Sequence, residues 1–298
     1  MKLLPGARIA IVAPGGATSA LRLEAGLDFV RALGCEPVEA PHLRARHLYH
    51  AGTVAQRTED LAWALTAPDI DAVWFARGGY GTAQTLAGLP WQRLDGRPVL
   101  GFSDATALLV ALEQHGIPSI HAPVLQGMTP LDREPLLSGT VGARSREQLR
   151  RLLATGAANP LPGRLLCGPE ISAQGRVLGG NLTVLATLCG TPWQLRAQGA
   201  ILLLEDVGEA PYRIERLLCQ LRDSGCFSGV VGIGLGEFTD CEAPGLDHTT
   251  QDMLREVLEP LGIPVLADLP FGHGARNDPW PHGVPAQLDG GGLTFPAA

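Results

Sequence analysis

Apolar residues in the first half of the chain come in short unbroken runs, each followed by a turn and then by helical periodicity. The runs at 9–13 (Ile9, Ile11, Val12), 72–75 (Val73, Trp74, Phe75) and 99–102 (Val99, Leu100, Phe102) show no polar alternation. That is the pattern of strands buried on both faces. Shorter strands are expected at 36–39 and 119–124. Between them, 20–33 places Leu23, Leu27 and Val30 on one helical face, and 53–67 does the same with Leu61, Ala64 and Leu65. A short helix is expected over 83–86, and Ala105, Leu108, Leu109 and Leu112 stand at helical spacing after the third run. Gly34 and Pro68 are placed to end the first two helices. Strand and helix alternating in this way predict a parallel sheet with helices on both faces.

The pattern changes after residue 128. Residues 129–161 are more polar, with a helix expected over 144–153, and read as a connection. Beyond it, strands are expected at 171–177, 200–204, 229–235, 263–266 and 284–288. Helices are expected at 182–188, around Ile214, Leu217, Leu218 and Leu221, and at 250–258. The division is therefore an N-terminal α/β domain over 1–135, a connecting segment over 136–168, and a smaller mixed α/β domain over 169–298.

Composition narrows the function. Of 298 residues, 45% are hydrophobic and 18% charged, which fits a packed globular chain and excludes disorder. A net charge of -7 leaves no basic footprint for nucleic acid. No segment reaches the ~18 continuous apolar residues of a membrane span. The N-terminus enters a strand without a signal-peptide core, so a cytoplasmic location is expected. The six cysteines form no C-x-x-C pair and read as thiols, not as a metal site or disulfide framework. His42, His47, His50, His115, His248 and His282 lack ligand spacing, so no metal or other cofactor is expected.

Sites on parallel sheets lie at the carboxyl ends of strands. Two stretches sit there: Arg77-Gly78-Gly79-Tyr80-Gly81 and Ser103. Ser103 stands at a sharp strand-to-helix turn. It is either a helix N-cap or the hydroxyl of a nucleophile elbow, with unpaired N–H groups just beyond it. Gly78 and Gly79 serve a tight turn, a close approach to a ligand, or both. Gly15 and Gly16 follow the first strand, but the later residues of a dinucleotide fingerprint are not at the right offsets. Residues 42–52 read as a polar surface loop. Glu205 ends the strand 200–204 and His273 lies in a Gly-flanked loop; each is either structural or part of a site.

Five stretches, taken in order, resemble the LD-carboxypeptidase and microcin-immunity family of serine peptidases. They are Ala76-Arg77-Gly78-Gly79-Tyr80-Gly81, Gly101-Phe102-Ser103-Asp104-Ala105-Thr106, Val177-Leu178-Gly179-Gly180-Asn181-Leu182, Leu203-Leu204-Glu205-Asp206-Val207-Gly208-Glu209, and Pro270-Phe271-Gly272-His273. The resemblance implies a Ser103–His273–Glu205 catalytic set. It implies a flavodoxin-like N-terminal domain, as in class I glutamine amidotransferases, and a C-terminal domain of β-barrel-like character. It further implies a cytoplasmic homodimer that releases terminal D-alanine from murein tetrapeptide in cell-wall recycling, or else a hydrolase of peptide-nucleotide antibiotics. Ala122 departs from the glycine often found in relatives. The loops 125–135 and 241–248 are not distinctive enough to name the substrate.

On that basis the backbone N–H of Asp104 and one of Gly78 or Gly79 are expected to form the oxyanion hole. Arg77 is a candidate for the substrate carboxylate, with a structural salt bridge as its alternative role. A nucleophile in one domain and its partners in the other place the expected site in the interdomain cleft. Trp193, Trp280 and Tyr212 are expected to pack in the core.

Overall fold

The strand β1 (Arg8–Val12) has neighbours on both sides, and Ile9, Ala10 and Ile11 are wholly buried. In the computed structural model, which describes residues 2–128, 141–242, 245 and 247–296, it is followed by α1 (Ala20–Ala32), β2 (Glu36–Glu39), α2 (Val54–Thr66) and β3 (Ala72–Phe75). Then come α3 (Thr82–Thr85), β4 (Val99–Gly101), α4 (Thr106–Glu113), β5 (Ser119–His121) and α5 (Ala143–Thr155). β1 pairs in parallel with β2 and β3, β3 with β4, and β4 with β5. α2 starts where Thr53 and Gln56 close a reciprocal capping box. The chain divides into two compact units, Met1–Ala158 with Asp278–Pro281, and Asn159–Asn277 with His282–Ala298.

The second unit contains β6 (Leu161–Pro162), β7 (Arg164–Cys167), β8 (Ala173–Asn181), α6 (Leu182–Thr187), β9 (Ala200–Val207) and α7 (Pro211–Asp223). It continues with β10 (Gly232–Thr239), α8 (Thr250–Leu258) and β11 (Val265–Ala267). β12 (Trp280–His282), β13 (Pro285–Asp289) and β14 (Gly292–Thr294) follow. The larger sheet runs β6-β14-β13-β8-β9-β10-β11-β7. Its centre, β8 to β11, is parallel, and its flanks are antiparallel. β6 and β7 stand at opposite ends of that order, yet only Gly163 separates them in sequence.

The first sheet has an additional strand, in the order β12-β5-β4-β3-β1-β2. β12 was not expected from the sequence. Pro281 cannot donate a ladder hydrogen bond, and an edge strand is where that is tolerated. Trp280 is fully buried, as expected, and stacks on His121 with 4.6 Å between ring centroids.

Other expectations change in detail. The strand 99–102 stops at Gly101, and 119–124 shortens to β5. The loop 42–52 is not wholly on the surface, because Leu43, His50 and Ala51 are buried. Tyr212 is exposed instead of packed, with Arg213 and Arg216 over its ring. Of the expected connection, α5 belongs to the first unit, while β6 and β7 are strands of the second. The expected 135/136 boundary lies outside the described residues, as do 129–135 and positions 243, 244 and 246 of the two loops noted for substrate contact.

Candidate active site

β4 ends at Gly101, Phe102 stays extended, and the backbone then reverses at Ser103, whose φ is +61°. Positive φ is costly for a residue with a Cβ. Ser103 opens a 3-10 turn, Ser103–Ala105, that runs directly into α4. The cap positions of these two helical pieces are Phe102 and Ala105, so Ser103 is not the N-cap that its place in the sequence allowed. The left-handed turn leaves Ser103 half-buried between buried Phe102 and Asp104. The first N–H groups of a helical turn have no acceptor within it, and that of Asp104 is one of them.

The loop after β3 closes on this turn. A Cβ built on Gly78 would stand 3.0 Å from both Cβ and Oγ of Ser103 and 3.5 Å from the Asp104 nitrogen. Only glycine lets this backbone approach so near. The Gly78 carbonyl accepts the Gly16 N–H at 2.9 Å. In a trans peptide the Gly79 N–H of the same plane points the opposite way.

Two buried side chains brace the loops. The Asp104 carboxylate accepts from Thr82 N–H at 2.9 Å, Thr82 Oγ1 at 2.6 Å and Gly81 N–H at 3.3 Å. It thereby anchors the start of α3 to the serine turn. Burial pushes its pKa up, against the pull of those bonds and of Arg57. Arg57, on α2, is also buried and donates to the carbonyls of Pro14 and Gly81 and to Gln84 Oε1. It ties the loop after β1 to the loop after β3. Arg77 is exposed and donates to the Ala17 carbonyl at 2.5 Å.

In the second unit Glu205 lies in β9, opposite Asn181 of β8. On its other side the β10 register slips: Leu235 pairs with Leu204, but Phe238 pairs with Asp206. Gly236 and Glu237 therefore face the single residue Glu205, a bulge of the kind that re-aims side chains beside functional sites. A Cβ on Gly236 would meet the Phe271 carbonyl oxygen at 2.5 Å, and the Glu237 N–H donates to that carbonyl at 2.8 Å. The bulge thus holds the loop that carries His273.

His273 Nδ1 lies 2.6 Å from Glu205 Oε2, with the Glu205 side chain fully buried and that of His273 13% exposed. Among the described residues, Glu205 Oε1 has no hydrogen-bond partner. Burial works against the imidazolium, but the Glu205 carboxylate, helped by Asp206 and Glu237, outweighs it and raises the His273 pKa. Nδ1–H donated to the carboxylate leaves Nε2 as the basic nitrogen. Asp206 accepts from Thr183 N–H and Oγ1 at 2.9 and 2.7 Å and from Asn181 Nδ2 at 3.0 Å. It anchors α6 beside Glu205 much as Asp104 anchors α3 beside Ser103.

The structure thus joins Glu205 to His273 within the second unit, and Ser103 to Gly78 and Asp104 within the first. Sequence reasoning missed the Asp104 and Asp206 carboxylates, Arg57 and the bulge. The available signal was an aspartate directly after Ser103 and directly after Glu205, with a threonine at a nearby helix start to donate to it.

Residues 9–122 match the LD-carboxypeptidase N-terminal domain, and residues 174–288 match the LD-carboxypeptidase C-terminal domain. The chain is 42% identical to a murein tetrapeptide carboxypeptidase of Pseudomonas aeruginosa, over 97% of this chain and 95% of the relative. A solved muramoyltetrapeptide carboxypeptidase from Oxalobacter formigenes matches at 30% identity with a TM-score of 0.80, covering 97% of this chain and 100% of that one. MccF in complex with glutamyl sulfamoyl guanosine shares the fold, with a TM-score of 0.86 at 20% identity over 99% and 98% of the two chains.

Proposed function

This chain belongs to the LD-carboxypeptidase family, and we propose that it hydrolyses the L,D-peptide bond that releases terminal D-alanine from murein tetrapeptide. Ser103 is the nucleophile, His273 the general base and Glu205 the acidic member. The observation that carries the reading is the buried 2.6 Å bond between Glu205 and His273. It fixes the tautomer in which Nε2 takes a proton, which is the requirement for activating a serine.

Nε2 removes the Ser103 proton as Oγ attacks the scissile carbonyl. The imidazolium that forms is held by Glu205 and then protonates the leaving amine of D-alanine. Water, deprotonated by the same nitrogen, clears the acyl-enzyme. The tetrahedral oxyanion takes hydrogen bonds from the backbone N–H of Asp104 and from Gly79 or Gly78. Each such donor is worth ~3 kcal/mol of barrier. The φ of +61° at Ser103 supports this role, since strained turns of this kind present nucleophiles. Arg77, directly before Gly78 in the loop after β3, offers a guanidinium for the terminal carboxylate.

The finer fold assignment belongs with this reading. The strand order β2-β1-β3-β4-β5 is that of a flavodoxin-like sheet. The single residue between β6 and β7 brings the two edges of the larger sheet together, which favours barrel-like curvature for the domain bearing Glu205 and His273. A cytoplasmic location, where free thiols persist, and a homodimer are parts of this reading that rest on the family resemblance.

The deciding experiment is mass spectrometry of products from murein tetrapeptides ending in D- or L-alanine, with wild type and Ser103→Ala. Release of D-alanine alone, lost in the variant, is the expected result. Full turnover by Ser103→Ala would overturn the assignment. An aminoacyl sulfamoyl adenylate in parallel tests the antibiotic-conjugate reading that the MccF-like fold suggests.

A further inference from the structure

The sulfur atoms of Cys189 and Cys226 lie 3.9 Å apart, and the Ser224 hydroxyl stands beside both, at 3.2 Å from the first and 3.4 Å from the second. Cys189 follows α6 and is half-buried. Cys226 follows α7 and is fully buried. The two helices pack together, so the pair is held by the fold of the second unit and not by chance proximity of loops. Cys35, Cys167 and Cys241 sit instead against the carbonyls of Leu33, Arg255 and Thr239.

We propose that Cys189 and Cys226 are a modification site: a dithiol that a hydroperoxide converts to an intramolecular disulfide. A disulfide has an S–S length of about 2.05 Å, so the sulfurs must close by roughly half their present separation of 3.9 Å. Exposure assigns the roles. Cys189 can be met from solvent, and Cys226 cannot. Burial also pushes the Cys226 thiol up to about 11, against the Ser224 hydroxyl, which keeps it protonated until its partner has reacted. The Cys189 thiolate attacks the terminal peroxide oxygen. The O–O bond breaks, leaving a sulfenic acid on Cys189 and an alkoxide that takes up the proton given up by the Cys189 thiol to become the alcohol. Cys226, giving up its proton, then displaces the sulfenic oxygen as water. Two thiols and one hydroperoxide yield one disulfide, one alcohol and one water. A proton acceptor is close by in Ser224, which can pass its own proton as it receives that of Cys226. The disulfide would tie the ends of α6 and α7.

The test treats the native protein with stoichiometric organic hydroperoxide, blocks remaining thiols under denaturing conditions, and maps tryptic peptides without reduction. Cleavage at Arg176, Arg196, Arg222 and Arg255 leaves Cys189 in one peptide and Cys226 in another, which also carries Cys241; fragment ions then identify the sulfur. The expected result is a Cys189–Cys226 cross-link, two hydrogens lighter than the dithiol pair and abolished by reduction. In Cys226→Ser the expected product is a dimedone-reactive sulfenic acid on Cys189. The proposal is overturned if wild type gives over-oxidised Cys189 with Cys226 still alkylated, if both remain unmodified, or if Cys226 links elsewhere. Phenylarsine oxide, which bridges two nearby thiols, provides a second measurement that needs no variant. Protection of this pair from later alkylation is expected, and continued labelling of both sulfurs by alkylator counts against the pairing.

Discussion

Ser103 offers a direct measurement of stored backbone strain. Its φ of +61° costs an L-residue ~1–2 kcal/mol relative to an ordinary conformation. Ser103→Ala and Ser103→Gly both remove the hydroxyl, so any bond made by Oγ is lost equally. They differ in the Cβ. Alanine keeps the strain and glycine releases it. Glycine also loosens the unfolded chain, which gives back ~0.4–1 kcal/mol. The net is ~1 kcal/mol in favour of Ser103→Gly. For a unit of this size that corresponds to a difference of about 3 °C in the melting temperature. Urea denaturation of both variants, followed by far-UV circular dichroism and by tryptophan fluorescence, gives the same comparison at constant temperature. Equal midpoints, or a more stable alanine variant, would refute the strained-turn reading. Both proteins should lack turnover, which separates the stability effect from the chemistry.

Three further outcomes are expected. The raised His273 pKa means the base is still protonated just above pH 6.5, so the acidic limb of kcat/KM should have its midpoint above that value; Glu205→Gln should move it down, and a wild-type midpoint below 6.5 would contradict the assigned electrostatics. Gly78→Ala puts a methyl 3.0 Å from Ser103 Oγ and should lower kcat ~10²-fold with an unchanged circular dichroism spectrum, whereas retained kcat would remove Gly78 from the oxyanion loop. His282, whose Nε2 accepts the Gly179 N–H, is held by burial at a pKa of about 4. Its folded pKa is depressed, so the unfolded chain binds the proton first, and stability falls as pH drops from about 6.5 towards 4, by ~3 kcal/mol in all. Histidine NMR should show a neutral His282 ring at pH 5, and the pH slope of the unfolding free energy should flatten in His282→Gln over that range.

Much of the architecture was legible because the buried runs at β1, β3 and β4 carry no alternation, and Gly34 and Pro68 mark the ends of α1 and α2. Glu205 could be picked out because a carboxylate ending four leucine or isoleucine residues has to be either paired or functional. What stayed hidden depends on partners far along the chain. β12 contains a proline and has three residues, so nothing local marks it as a strand; its pairing and the His121 stack define it. The bulge opposite Glu205 is a property of the β9–β10 register, which neither strand encodes alone. Arg57 looks like one more polar position on α2 until its carbonyl partners at Pro14 and Gly81 are known.

The strand β12 also bears on the order in which the molecule can be completed during synthesis. The edge of the first sheet waits for Trp280, and β6, laid down at Leu161, waits for Gly292 to provide its partner in β14. Both units therefore emerge from the ribosome unfinished, each with an unpaired strand edge and an apolar face that later residues must cover. The last few dozen residues carry no proposed catalytic group beyond His273, yet they close both halves.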